Sequence, residues 1–258
     1  FKEFLDKMPP KTALTYKQLS DVLGIPLDVL LALELVETGG NAVVKPDDKV
    51  KVKSLAGAVG PLQVMPGEVE NVRKFVEELH KEIGQYGRIR SSLDRVKMDI
   101  LEATGLVEEG VIHIYADRIY PYSPNYDADY ARKVGIAILK LSIIDLDRQK
   151  LVKNIKRKGW HFEIRKEGEG GGFNLLEVVI AMYNWKPRLV KKALESAGPK
   201  NWKKIIPEET KGHRDRFLEY RDVIRIDKNR LLMIIDGKVF LAEKEAEKDK
   251  ETKAMGGY

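Results

Sequence analysis

Three short stretches carry side chains suited to chemistry. Residues 31–41, "LALELVETGGN", end an apolar segment on Glu37, followed by Thr38 and two glycines. The macrodipole is negative at a helix C-terminus, and an apolar shell desolvates. Both effects disfavour a carboxylate and raise its pKa. A carboxyl group kept protonated near neutral pH can give a proton to a leaving oxygen and later take one back. Taken alone, the stretch also fits a helix-end glutamate paired with a nearby lysine. Residues 57–66, "GAVGPLQVMP", set Gln63 in a loop where Gly57 and Gly60 allow close backbone approach. Gln63 offers both donor and acceptor. Residues 181–187, "AMYNWKP", bring a phenol, an amide and an indole to a helix end. Such rings can stack on apolar ring faces, although burial is their usual fate.

These groups need helices to position them. "TYKQLSDVLGIP" predicts a helix with Thr15 as N-cap and Gly24 as stop, inside an amphipathic segment over 1–23. Pro26 then opens "PLDVLLALELVE", which is apolar almost all round and so predicts a buried helix ending at Glu37. "NAVVKPDDKVKVKS" (41–54) alternates around a Pro-Asp-Asp turn and predicts a hairpin. Helical spacing returns over 68–83 and 89–105, and again from 129 as one long helix or two. Residues 110–130 are aromatic and partly β-like. "WHFEIRKEGEGGG" (160–172) predicts a short strand and a glycine loop. It lacks the residues of a nucleotide site. Residues 173–198 predict two helices broken at Pro187. "DVIRIDKNRLLMIIDGKVFLAE" (222–243) alternates, with turn signals at Lys228-Asn229 and Asp236-Gly237, and predicts a three-stranded meander. Residues 244–258 form a charged tail, frayed or a solvated helix end.

Composition narrows the classes. The chain has 258 residues and no cysteine, which excludes disulfides and thiol nucleophiles. Its four histidines are scattered, so no histidine-rich metal site is expected, nor any other metal or cofactor. No apolar run reaches the length of a membrane span. The start at Phe1 reads as a processed or trimmed product. Charged residues make up 33%, rich in Lys and Glu, a balance typical of thermophile proteins. The net charge of +6 favours an anionic partner: nucleic acid, lipid or cell-wall polymer.

Taken in order, Glu37-Thr38-Gly39, then Gly60-Pro61-Leu62-Gln63-Val64-Met65-Pro66, then Met182-Tyr183-Asn184 resemble the motifs of the lytic transglycosylase (SLT) family. That family is lysozyme-like and related to goose-type lysozymes. Between the motifs, "DADYARKVGIAILKL" (127–141) is similar to a further family helix, with Ala131 where the family has Asn and Ile138 where it has Tyr. Glu209-Thr210 matches half of a final motif, with His213 at its Tyr position. The resemblance implies that Glu37 is the single catalytic acid and base. It implies that Thr38, Gln63, Met65, Tyr183, Asn184 and Glu209 bind substrate. The implied substrate is the glycan strand of peptidoglycan, cut at the β-1,4 bond between N-acetylmuramic acid and N-acetylglucosamine. The substrate's N-acetyl group would act as nucleophile, so no second carboxylate is needed.

The expected architecture is therefore mainly α. A lysozyme-like α+β domain spans 1–221, with insertions around 72–125 and 147–173. A β-meander over 222–243 and the tail 244–258 follow. The expected place is the cell envelope, periplasmic or extracellular, or a virion. A hydrolytic lysozyme and a wall-penetrating virion protein share this reading. The rival class is a helix-turn-helix DNA-binding protein built on residues 15–36. Its would-be recognition helix carries Asp28 and Glu34 but no Arg, Lys, Asn or Gln to read bases, so no specific nucleic-acid binding is expected.

Overall fold

A computed structural model describes residues 1–39, 58, 60–108, 111–112, 115–119, 123–148, 175–185 and 187–255. The expected hairpin at 41–54 and the strand and glycine loop at 160–172 lie outside them. The described chain is mainly helical. In order it forms α1 (Lys2–Lys7), α2 (Pro10–Leu23), α3 (Leu27–Glu37), α4 (Pro66–Tyr86), α5 (Ser92–Ala103) and the two-residue strands β1 (Val107–Glu108) and β2 (Val111–Ile112). Then come α6 (Ala116–Ile119), α7 (Ala128–Arg148), α8 (Leu175–Asn184), α9 (Pro187–Asn201), a 3-10 turn (Trp202–Lys204), α10 (Glu208–Ile226) and α11 (Lys228–Met255). β1 and β2 pair antiparallel, Val107 opposite Ile112. Two compact units result, residues 1–137 with 220–258 and residues 138–219.

The first unit is built around α3. Every residue from Val29 to Val36 is buried. An all-round apolar sequence has no solvated face to keep, so burial on all sides is its stable state. Gly24 at φ 61 turns the chain between α2 and α3, as its position after Leu23 predicts. Pro26 stands just ahead of α3, at its N-cap rather than in its first turn. Asp28 in that first turn faces Arg221, whose Nε donates to Oδ2 at 2.8 Å. Thr15 does not cap α2. That helix begins five residues earlier, at Pro10, and Thr15 is buried within it. Pro10 at the first helical position needs no donor there.

The meander expected over 222–243 is replaced by helix. These residues finish α10 and form the first half of α11. The reason is a stripe of inward residues at helical spacing. Leu231, Ile235 and Ala242 are buried and α11 packs on α2. Between them, Lys238 Nζ donates to the carbonyls of Asp6 and Met8, the latter at 2.8 Å. Those are carbonyls that the end of α1 leaves without helical partners. Asp236-Gly237 therefore sits inside a helix, where tertiary packing outweighs a local turn preference.

The second unit gathers α8, α9 and the 3-10 turn. Val178 to Met182 are buried, with Val190, Leu194 and Trp202. Pro187 starts α9, which accounts for the break after α8. Glu177 is buried at 4% exposure, and its carboxylate is paired with Lys203.

Candidate active site

Glu37 is the last residue of α3 and is half-buried. Thr38 follows as the C-cap, and its hydroxyl donates to the Glu34 carbonyl at 2.7 Å. Gly39 then turns at φ 66. Thr38 thus gives the Glu34 carbonyl a second donor, beside its own backbone N–H, which reaches the same oxygen at 2.9 Å. The fully buried carboxylate of α3 is Glu34, one turn earlier, at 0% exposure. The apolar surroundings that the sequence suggests for Glu37 belong above all to Glu34.

Glu34 is held by a network that sequence reading missed. Arg132 on α7 donates from Nη2 to Oε1 at 2.7 Å and from Nε to Oε2 at 2.9 Å. Tyr16 on α2 donates its hydroxyl to Glu34 Oε2. Arg132 Nη1 donates to Asp129 Oδ1 at 3.0 Å, and Thr12 Oγ1 donates to the same oxygen at 2.8 Å. Burial alone would lower the pKa of the Arg132 guanidinium. The charge and hydrogen bonds of Glu34, joined by Asp129, outweigh it and leave that pKa raised. Nearby, the Tyr126 hydroxyl is pushed up to about 12, chiefly by burial, while Arg132 opposes the shift. The sequence carried half of the signal for this network: Glu34 stands among apolar residues of α3, and a buried charge needs a partner, but the local pattern does not say which.

The Gln63 loop rests on the same helix. Gly60 at φ 79 and Gln63 at φ 48 bracket a tight turn closed by Gln63 N to Gly60 O at 3.0 Å. The Gln63 side-chain amide donates to that same carbonyl, also at 3.0 Å. Among the described residues, Gln63 is the one non-glycine with positive φ. Left-handed backbone is costly for such a residue. Leu62 and Val64 are buried, and Met65 is 42% exposed ahead of α4. A Cβ on Gly135 of α7 would lie 2.9 Å from Leu62 Cβ, and one on Gly60 would lie 3.2 Å from Ala131 Cβ. Glycines at 60 and 135 are what let loop and helix meet this closely. Ala131, Arg132 and Gly135 lie within about one turn of α7. One stretch of α7 therefore holds both α3, through Glu34, and the turn bearing Gln63.

The remaining candidates belong to the second unit. Tyr183 is half-buried and Asn184 exposed, both at the end of α8. Glu209 is exposed in the first turn of α10, with Thr210 and His213 buried after it. Among the described residues no group of three His, Cys, Asp or Glu side chains is placed to hold a metal. No described helix is long and apolar enough to cross a membrane.

No protein-family model, no curated protein and no solved structure matches this chain.

Proposed function

We propose that the chain is a lysozyme-like enzyme that cleaves peptidoglycan between N-acetylmuramic acid and N-acetylglucosamine, with Glu37 as its acid and base. The observation that carries the reading is the common mounting of two motif segments on α7. Arg132 fixes α3 one turn before Glu37, and Gly135 seats the turn that presents Gln63. A strained backbone at Gln63 supports a functional role there, because such conformations gather at binding and catalytic sites.

Glu37 gives its proton to the glycosidic oxygen as the C1–O bond breaks. The acetamido oxygen of the muramoyl residue attacks C1 from the other face. The Glu37 carboxylate then removes the proton of the 6-hydroxyl, whose oxygen takes over C1 and closes a 1,6-anhydro ring. Water in place of that hydroxyl gives a reducing end. Gln63, Met65, Thr38, Tyr183, Asn184 and Glu209 are the proposed substrate contacts. The net charge of +6 draws the protein to an anionic wall. Its proposed place is the envelope, the cell exterior or a virion. Mass spectrometry of products from purified peptidoglycan tests the reading. Anhydro-muropeptides support it as stated, reducing ends make the chain a lysozyme, and intact glycan refutes it.

A further inference from the structure

Outside the candidate site, α11 carries an outer face that none of the described residues covers. Its inner stripe, Leu231, Ile235, Lys238 and Ala242, is turned to α1 and α2. On the opposite side Met233 is 77% exposed, Phe240 56% and Leu241 52%. Met233, Gly237, Phe240 and Lys244 follow one another at four, three and four residues, which is the spacing of a two-helix seam. Gly237 lies at the centre of this stripe. A Cβ added there would meet nothing within 4 Å, so no contact among the described residues calls for glycine. Glycine weakens a helix interior, and close approach of a second backbone or ring is a reason to keep it.

We infer that this face pairs antiparallel with the same face of a second copy, the partner's Phe240 seated on Gly237. Charge complementarity argues for this occupant. In that register Arg230 stands opposite the partner's Glu247, and Asp227 opposite the partner's Lys248. Leu241 meets the partner's Ile234, and the stem of Lys244 covers the partner's Met233. Symmetry makes each contact twice. Asp236 and the partner's Glu243 form the like-charged pair of the register and lie at its rim. The described residues from Glu243 onward are exposed, so the second half of α11 is free to lie along the partner's α11.

Sedimentation velocity of the full chain over a concentration series tests this. The expected result is a shift from monomer to twice the monomer mass. Gly237→Gln removes the seat for Phe240 but favours the helix, so it should give a monomer with undiminished melting temperature. Arg230→Glu and Glu247→Arg should each weaken the dimer about tenfold, since two pairs reverse at once. The double exchange should restore it. A chain monomeric at every concentration overturns the inference, as does a dimer indifferent to Gly237→Gln or to the charge exchanges. So does a monomer that co-sediments with anionic vesicles, which would give this face to a lipid surface.

Discussion

The guanidinium of Arg132 grips both carboxylate oxygens of Glu34, at 2.7 and 2.9 Å, with the two side chains 1% and 0% exposed. They are 98 residues apart in the chain, so the pair ties α7 to α3 directly. Breaking a buried pair leaves a charge in an apolar interior, at a cost of about 3–5 kcal/mol. Arg132→Met should lose about that much in urea unfolding followed by circular dichroism. Joint replacement, Glu34→Leu with Arg132→Met, should recover most of the loss, because no charge is then stranded at Glu34 and Asp129 keeps Thr12. A double variant as weak as the single would mean that the pair contributes through shape rather than charge.

Glu37 and Glu34 are separated by one helical turn and should be separable by experiment. Glu37 is half-buried and ends α3, while Glu34 is sealed inside the unit. Glu37→Gln should reduce peptidoglycan turnover by about a hundredfold or more, a usual share for a general acid. Its stability should stay within about 0.5 kcal/mol, as for most partly exposed substitutions. Glu34→Gln should instead lower stability. The opposite pattern would move the chemistry to Glu34 and retire the proposed role of Glu37.

The helices on either side of these residues were legible because their apolar spacing is strong. α3 reads as buried from "LDVLLALELVE" alone, and α3 is buried. Glu34 was harder, since burial of a charge depends on a partner 98 residues away that local pattern does not contain. The C-terminal segment was misread for a related reason. Ile224, Ile226, Leu231, Ile235 and Ala242 fit alternation and helical spacing in part, and the docking of α11 on α2 decides between them. Gly237 deepened the error, because a glycine after aspartate is a hairpin signal that a long helix can absorb. Likewise, nothing in "GPLQVMP" announces that Gln63 takes a left-handed backbone.

Asp127 should give the first unit an acid-sensitive hinge point. Its Oδ1 accepts from the backbone N–H of Asp129 and Tyr130, each at 3.0 Å, and Oδ2 accepts from Arg118 Nη2 at 2.7 Å. It thus caps the start of α7, the helix that carries Arg132 and Gly135. Burial works to raise its pKa, but the Tyr130 N–H and the Arg118 guanidinium outweigh it and hold the carboxyl below its ordinary value. The folded state then binds the proton less readily than the unfolded one. The stabilisation is complete above the unfolded value of about 4 and is lost as pH falls through the lower folded value. Asp127→Ala should cost about 1 kcal/mol at neutral pH, the usual worth of such a cap. It should also flatten the fall in stability below about pH 4 seen in the parent. Melting curves at stepped pH would check both, and an unchanged acid limb would show that other carboxylates govern it.

Gly135 should behave against the ordinary rule for helical glycine. In an open helix, glycine to alanine stabilises by up to about 1 kcal/mol, because glycine has more freedom to lose. Gly84 in α4 meets that condition, since a Cβ there finds nothing within 4 Å. Gly84→Ala should therefore raise the melting temperature slightly and leave turnover alone. At Gly135 the added Cβ would fall 2.9 Å from Leu62 Cβ and 3.1 Å from Val64 Cγ2, too near for either to remain in place. Leu62 is fully buried and cannot swing outward without opening the core. Gly135→Ala should then cost about 1–3 kcal/mol, as overpacking does. The displacement passes to the turn that carries Gln63, bonded at both its backbone and side-chain nitrogens to Gly60 O. Turnover on peptidoglycan should consequently fall even at temperatures where the variant is fully folded. If Gly135→Ala melts higher than the parent, as Gly84→Ala should, then α7 does not hold the Gln63 turn, and the common mounting that supports the proposed site is lost.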